Sequence, residues 1–344
     1  MAHTLPTSRR TRGFIRLGAR VLAGAAILCV GLAAAGAGYE ALASTQDAVR
    51  HPPPGRLVDV GGHHLHLDCV GQGSPTIVFD AGAGEVGSLA WGTVPADLGA
   101  VTRVCSYDRA GLGWSSPGPL PRTAGQIVTE LHTLLTNAQE PGPYVMVGHS
   151  LGGKHVRLYA ARYPNEVAGM VLVDARHEDV DRLVRPEMVQ QENAQTKQFR
   201  ELEVGLRRLG ITRLLGPWLA DMAGPEVRGL PLVYFIQQGR PEAAEANLSE
   251  ITSSAESNAQ LRAEAGPLGD KPLAVLMRGK PISDPEYWSV WQASQRTMAD
   301  LSTQGRLMVA EQSGHTIQLE QPELVIAAVL QTLAQSRNSG QQRL

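Results

Sequence analysis

The 344-residue chain has no excess of either charge: 31 Lys and Arg stand against 33 Asp and Glu, a formal net charge of −2 at pH 7. A nucleic-acid partner calls for a strongly basic face, so this balance excludes nucleic acid as the expected partner. Cysteine is scarce. Cys29, Cys69 and Cys105 are its three members, and none forms a C-x-x-C pair, which removes the usual metal and redox motifs. No phosphate-cradling loop, nucleotide fingerprint or metal-ligand cluster is present, so no cofactor and no metal is implied. His64 and His66 alternate onto one face of a short strand but lack a further ligand at metal spacing, and they read as plain strand residues. There is no internal repeat, and the 37 glycines and 22 prolines are scattered at turns and form no low-complexity tract.

What is present starts with a basic head. Residues 1–20 carry Arg9, Arg10, Arg12, Arg16 and Arg20 and no acid, and residues 21–39 carry no charge at all. A span needs roughly 20 apolar residues, so 21–39 reads as a membrane segment. A cleavable signal with Ala41-Leu42-Ala43 as its processing site is the rival reading. Ser8-Arg9-Arg10 fits a twin-arginine signal poorly, because Arg12 stands where that motif wants an apolar residue. The uncleaved anchor is the preferred reading, and the positive-inside rule then puts the rest of the chain outside the cytoplasm. Secretion after cleavage is the alternative. Residues 1–44 form this segment, and 45–55, with Pro52-Pro53-Pro54, form a stiff spacer.

Beyond the spacer the pattern predicts a hairpin over 56–60 and 63–69 about Gly61-Gly62. Strands are expected at 75–79, 101–107, 144–147, 168–173, 272–277 and 306–310, and helices at 123–138, 152–163 and 322–333. Near-continuous apolar strands alternating with amphipathic helices indicate an α/β fold with a mostly parallel sheet covered on both faces. The region 177–270 breaks this alternation and is helical in pattern over 187–209 and 248–265.

At the centre stands Gly148-His149-Ser150-Leu151-Gly152, with an apolar strand before it and a helical run after it. The spacing G-x-S-x-G suits a sharp strand-to-helix turn where neighbouring backbone leaves no room for Cβ atoms. Such a turn presents the Ser150 hydroxyl at a helix N-terminus, whose free N–H groups favour developing negative charge.

Four features in order resemble the α/β-hydrolase superfamily: Ala81-Gly82-Ala83 after the first central strand, Asp108-Arg109-Ala110-Gly111-Leu112-Gly113-Trp114-Ser115, the elbow at Ser150, and Ser313-Gly314-His315. The resemblance covers roughly 56–333 and implies an α/β-hydrolase fold with a helical cap insertion over 177–270. Core segments would lie at 56–176 and 271–335, and a polar tail at 336–344. It implies Ser150 as nucleophile, His315 as general base, and the amides of Ala83 and Leu151 as oxyanion hole, while His149 is structural. The acid is either Asp174, closing the strand 168–173, or Asp284, which also looks like a helix N-cap; Asp174 is preferred. A serine at the elbow, where epoxide and haloalkane hydrolases carry Asp, points instead to a serine hydrolase acting on a small-molecule acyl substrate, a carboxylic ester first. Alternatives are a non-catalytic binding protein on the same fold, an iminopeptidase-like amidase, a perhydrolase or a C–C bond hydrolase. The family's strand order makes the strands of Cys69 and Cys105 neighbours, so a disulfide is allowed outside the cytoplasm. Leu214, Leu215, Trp218, Leu219, Met222 and 233–236 either line an acyl pocket or form the cap's own core, and Trp288 and Trp291 read first as core.

Overall fold

A computed structural model describes residues 9–215 and 230–341. Eight strands make one sheet in the order β1-β2-β4-β3-β5-β6-β7-β8. They are β1 (Arg56–Asp59), β2 (His64–Val70), β3 (Thr76–Asp80), β4 (Val104–Tyr107), β5 (Tyr144–His149), β6 (Val167–Val173), β7 (Leu273–Arg278) and β8 (Gly305–Ala310). The β1–β2 and β2–β4 pairs are antiparallel and the others parallel. The chain therefore belongs to the mostly parallel α/β class.

Alternation along the central strands splits the core between the two faces. Val78, Met146 and Leu172 point one way, and Ile77, Phe79, Val145, Val147, Val171 and Val173 the other, all buried. Helices α3 (Ala124–Asn137) and α4 (Gly152–Arg162) cover the first face with Val128, Leu131, Leu134 and Val156. Helix α2 (Val94–Gly99) and the last helix cover the second, through Val94, Leu98, Val325, Val329 and Leu333. Burial on both faces is why these strands read as unbroken apolar runs. In the order β4-β3-β5, the chain leaves β3 towards one edge and returns to its other side. The crevice at the carboxyl ends of β3 and β5 is thus the topological switch point where such sheets place ligands.

The insertion between β6 and β7 is helical among the described residues: α5 (Val180–Leu183), α6 (Pro186–Arg208), α7 (Ile211–Leu214), α8 (Leu232–Gln238), α9 (Pro241–Thr252) and α10 (Ser254–Glu264). One helix was expected over 248–265; the chain instead turns at Ser253, between α9 and α10. The two short helices bring separate side chains to the start of α3, where Ser249 Oγ accepts from the Arg122 amide and Ser257 Oγ from that of Ala124. Helix α11 (Pro285–Ala299) follows β7, and α12 (Ile317–Glu320) precedes α13 (Pro322–Gln341). The last helix, expected over 322–333, runs on through the polar residues to Gln341, and Ser336 joins it to the sheet by donating to the Ala168 carbonyl at 3.0 Å.

The N-terminal helix α1 (Arg9–Arg50) absorbs the first part of the expected spacer, so the extended stretch begins only after Arg50. Its apolar stretch is exposed, and it is long and apolar enough to cross a membrane by length and composition. Where it meets the insertion, Glu40 is buried against Arg213, which donates from Nε and Nη2 at 2.8 and 2.7 Å and also binds Asp47. Cys69 and Cys105 face each other across the antiparallel β2–β4 pair and are joined by a disulfide.

Candidate active site

Ser150 sits between β5 and α4 at φ 50°, a left-handed conformation uncommon for a residue with a side chain. The flanking glycines explain how the turn closes. A Cβ at Gly148 would lie 2.6 Å from the Gly152 carbonyl oxygen, and one at Gly152 would lie 2.1 Å from that of Asp80. The Ser150 amide donates to Val173 O at 3.1 Å, and its carbonyl accepts from the amides of Gly153 and Arg176. The turn is thereby pinned to both β6 and α4.

His315 reaches the same point from the loop after β8. Its Nε2 lies 2.9 Å from Ser150 Oγ and its Nδ1 2.6 Å from Asp174 Oδ2. Asp174 ends β6, fully buried at φ 40°, and its carboxylate is saturated with donors. Oδ1 accepts from the Arg278 amide at 3.1 Å and Trp291 Nε1 at 2.8 Å, and Oδ2 from Arg278 Nε at 3.0 Å besides His315. Burial pushes this carboxyl up, but the His315 hydrogen bond and charge, with Trp291 and Arg278, outweigh it and hold it below its usual range. Loss of solvent pushes the His315 imidazole down, and the Asp174 bond offsets this only in part. The imidazole is therefore neutral, and able to accept a proton, to a lower pH than a free histidine.

Asp284 does not reach His315. Its carboxylate accepts from the Tyr287 amide at 2.8 Å and caps α11, with Arg185 3.7 Å away. As a triad acid it is displaced by its own helix: the cap needs its side chain folded back onto the first turn. It does share a cavity of about 360 Å³ with Ser150, His315 and Trp291. The aromatic and apolar residues of the insertion go elsewhere. Tyr234 and Phe235 pack onto the sheet's second core, Leu214 and Leu215 are exposed, and Trp218, Leu219 and Met222 lie outside the described residues. Trp288 packs with Val180, Met277 and Trp291, while Trp291 serves both core and site.

The turn after β3 is held by groups that sequence reasoning missed. Buried Arg109 donates to the carbonyls of Ala81 and Gly82 at 2.8 and 2.7 Å and to Asp80 at 2.9 Å. Glu250, on α9, grips the same guanidinium from Oε1 and Oε2 at 2.6 and 2.9 Å, tying the insertion to this turn. Glu85 accepts from the Gly82 amide at 2.6 Å and lies 3.2 Å from His149 Nδ1. Ala83 stands exposed next to Gly82, and Leu151 is the N-cap of α4, where first-turn amides lack intrahelical acceptors. Arg109 lay within a quoted motif, but nothing in the sequence around Glu250 marks it as its partner. His149 is buried, and its Nε2 lies 3.0 Å from the His315 carbonyl, so it braces the loop that carries His315. His66 pairs with buried Asp108 at 2.8 Å, and His64 points to solvent. Among the described residues one grouping could gather metal-ligand atoms, Cys69, Cys105 and Glu140; both sulfurs are in the disulfide and Glu140 binds Arg56 and Arg103.

A sequence profile for the alpha/beta hydrolase fold matches residues 75–322. The chain belongs to the α/β-hydrolase family. Among its relatives, the uncharacterized protein YqjL of Bacillus subtilis is 27% identical over 259 residues, which cover 75% of this chain and 83% of that one. An AB hydrolase superfamily protein of Gibberella zeae is 28% identical over 290 residues, 74% of this hydrolase and 85% of the relative. Three other curated relatives are matched over less than a quarter of their own length, and two more over 37% and 44%. A thermophilic esterase from Thermogutta terrifontis superposes with a TM-score of 0.60 at 22% identity, covering 82% of this chain and 98% of the esterase, a likeness in fold.

Proposed function

We propose that this α/β-hydrolase is a serine hydrolase that cleaves a carboxylic ester through an acyl-enzyme on Ser150. The reading is carried by the unbroken chain of short contacts from Ser150 Oγ through His315 to Asp174, at 2.9 and 2.6 Å. His315 takes the Ser150 proton as the hydroxyl attacks the acyl carbonyl, and returns it to the leaving alcohol. Asp174 fixes the tautomer with Nε2 unprotonated and stabilises the imidazolium. The amides of Ala83 and Leu151 receive the oxyanion. Water then repeats the sequence on the acyl-enzyme and frees the acid. The exposed apolar α1 supports a membrane anchor, and the Cys69–Cys105 disulfide fits a catalytic domain on the non-cytoplasmic side.

The test is fluorophosphonate labelling of the full-length protein in detergent, beside Ser150→Ala and His315→Ala. Labelling of the wild type that disappears in both variants is expected. A folded wild type that takes no label would favour a binding protein on a hydrolase fold.

A further inference from the structure

The cavity that Ser150 lines is also lined by two arginines, Arg176 and Arg278, each bound on one side to a carboxylate. Arg278 ends β7, and its backbone amide and Nε are both committed to Asp174. Its two Nη groups have no partner among the described residues, and its side chain is 17% exposed within the same cavity that holds Ser150 and His315. Guanidinium groups present donors as a planar fork, so an arginine held along one edge offers its remaining edge in a fixed direction. Arg176 lines the cavity as well, oriented by Tyr287 Oη at 2.9 Å and by Asp181. The remaining charged group on this wall, Asp284, is turned to the Tyr287 amide with Arg185 beside it. Ile282 and Trp291 supply the apolar surface between. At about 360 Å³ the cavity is at the small end for a ligand site.

We propose that the free edge of Arg278, supported by Arg176, is a subsite for a carboxylate carried by the substrate itself. The substrate class is then a small acid monoester, with its scissile acyl carbon at Ser150 and a second, ionised carboxyl on the arginine wall. Two Nη donors match the two oxygens of a carboxylate in a bidentate pair. This inference rests on the serine hydrolase reading for its chemistry, but the subsite is a binding claim of its own.

The experiment uses the full chain in detergent micelles and a matched pair of esters, ethyl hydrogen glutarate and its neutral carboxamide isostere, with acid release followed by pH-stat. The wild type is expected to favour the acid ester in kcat/KM by about tenfold or more, as for a hydrogen bond to a charged group. Arg278→Met lowers both rates through Asp174, so the readout is the ratio, which is expected to collapse towards one. Arg278→Lys should restore part of it. A role limited to bracing Asp174 would lower both substrates equally and leave the ratio unchanged, and that result overturns the proposal. Calorimetric binding of glutarate to Ser150→Ala, with and without Arg278→Met, separates the two readings. Binding that depends on Arg278 without turnover of either ester would retain the subsite and remove the hydrolase reading. Turnover with a flat ratio and no Arg278-dependent binding would do the reverse.

Discussion

Replacing Asp174 by Asn tests the proposed triad most sharply, because the structure dictates how the amide must sit. All four groups around the carboxylate are donors: the Arg278 amide and Trp291 Nε1 on Oδ1, Arg278 Nε and His315 Nδ1 on Oδ2. An asparagine must put its NH2 on one side, facing two donors. On the Oδ1 side neither donor can change, since a backbone amide and an indole have no acceptor form. On the Oδ2 side His315 can, by moving its proton from Nδ1 to Nε2. The amide will settle there and impose the tautomer that cannot accept the Ser150 proton. A wrong-tautomer triad of this kind loses about 10⁴ in kcat, roughly 5.5 kcal/mol of transition-state stabilisation. Initial rates with a chromogenic ester measure it, with circular dichroism to show that the variant folds. Asp284→Asn is the control. Asn is as good an N-cap as Asp, so its rate should stay within about threefold and its stability within a few tenths of a kcal/mol. If Asp174→Asn keeps its rate within tenfold of wild type, the tautomer argument is refuted and Asp174 is not the triad acid.

Three further outcomes follow from the same geometry. His315 is held below the ordinary histidine pKa of about 6.5, so the acid limb of kcat/KM should fall with a midpoint below that value; a midpoint above 7 contradicts the burial argument. Lys154, fully buried with Nζ 2.5 Å from Asn258 Oδ1, has its pKa pushed down to about 7 by burial and by Arg176. The unfolded chain then binds the extra proton between pH 7 and 10.5, so stability should rise with pH across that window, by up to roughly 5 kcal/mol. Urea midpoints should lose this rise in Lys154→Met, whereas parallel curves for wild type and variant would count against it. Reducing Cys69–Cys105, which are 36 residues apart, should destabilise by about 4 kcal/mol on loop entropy and lower the urea midpoint; an unchanged midpoint would show that the pair is not bridged in solution.

Much of the frame was legible because it is local. The strands β3, β5 and β6 are buried on both faces, so apolar runs marked them to within a residue or two. The elbow was legible for the same reason, since Gly148 and Gly152 are dictated by atoms within the turn and the adjoining end of β3. The less accurate expectations fell where side-chain contacts across the fold override local pattern. Helix α13 runs past the point where the chain turns polar, with Ser336 joined to the sheet, and the insertion breaks at Ser253 where α9 and α10 both meet the start of α3.

Sequence alone thus determined the order of elements, the position of Ser150 and the placement of His315 after the last strand. Two carboxylates remained in play for His315, since both Asp174 and Asp284 stand near strand ends, and chain distance says nothing about which faces an imidazole. Tertiary structure separated their positions: Asp284 folds back on α11, while buried Asp174 meets His315, Trp291 and Arg278. It also brought Glu250 to Arg109 across 141 residues, and placed Arg278 in the cavity that Ser150 lines. Periodicity and turn chemistry act over a few residues, whereas the partner of a buried charge is set by which elements the sheet order brings together.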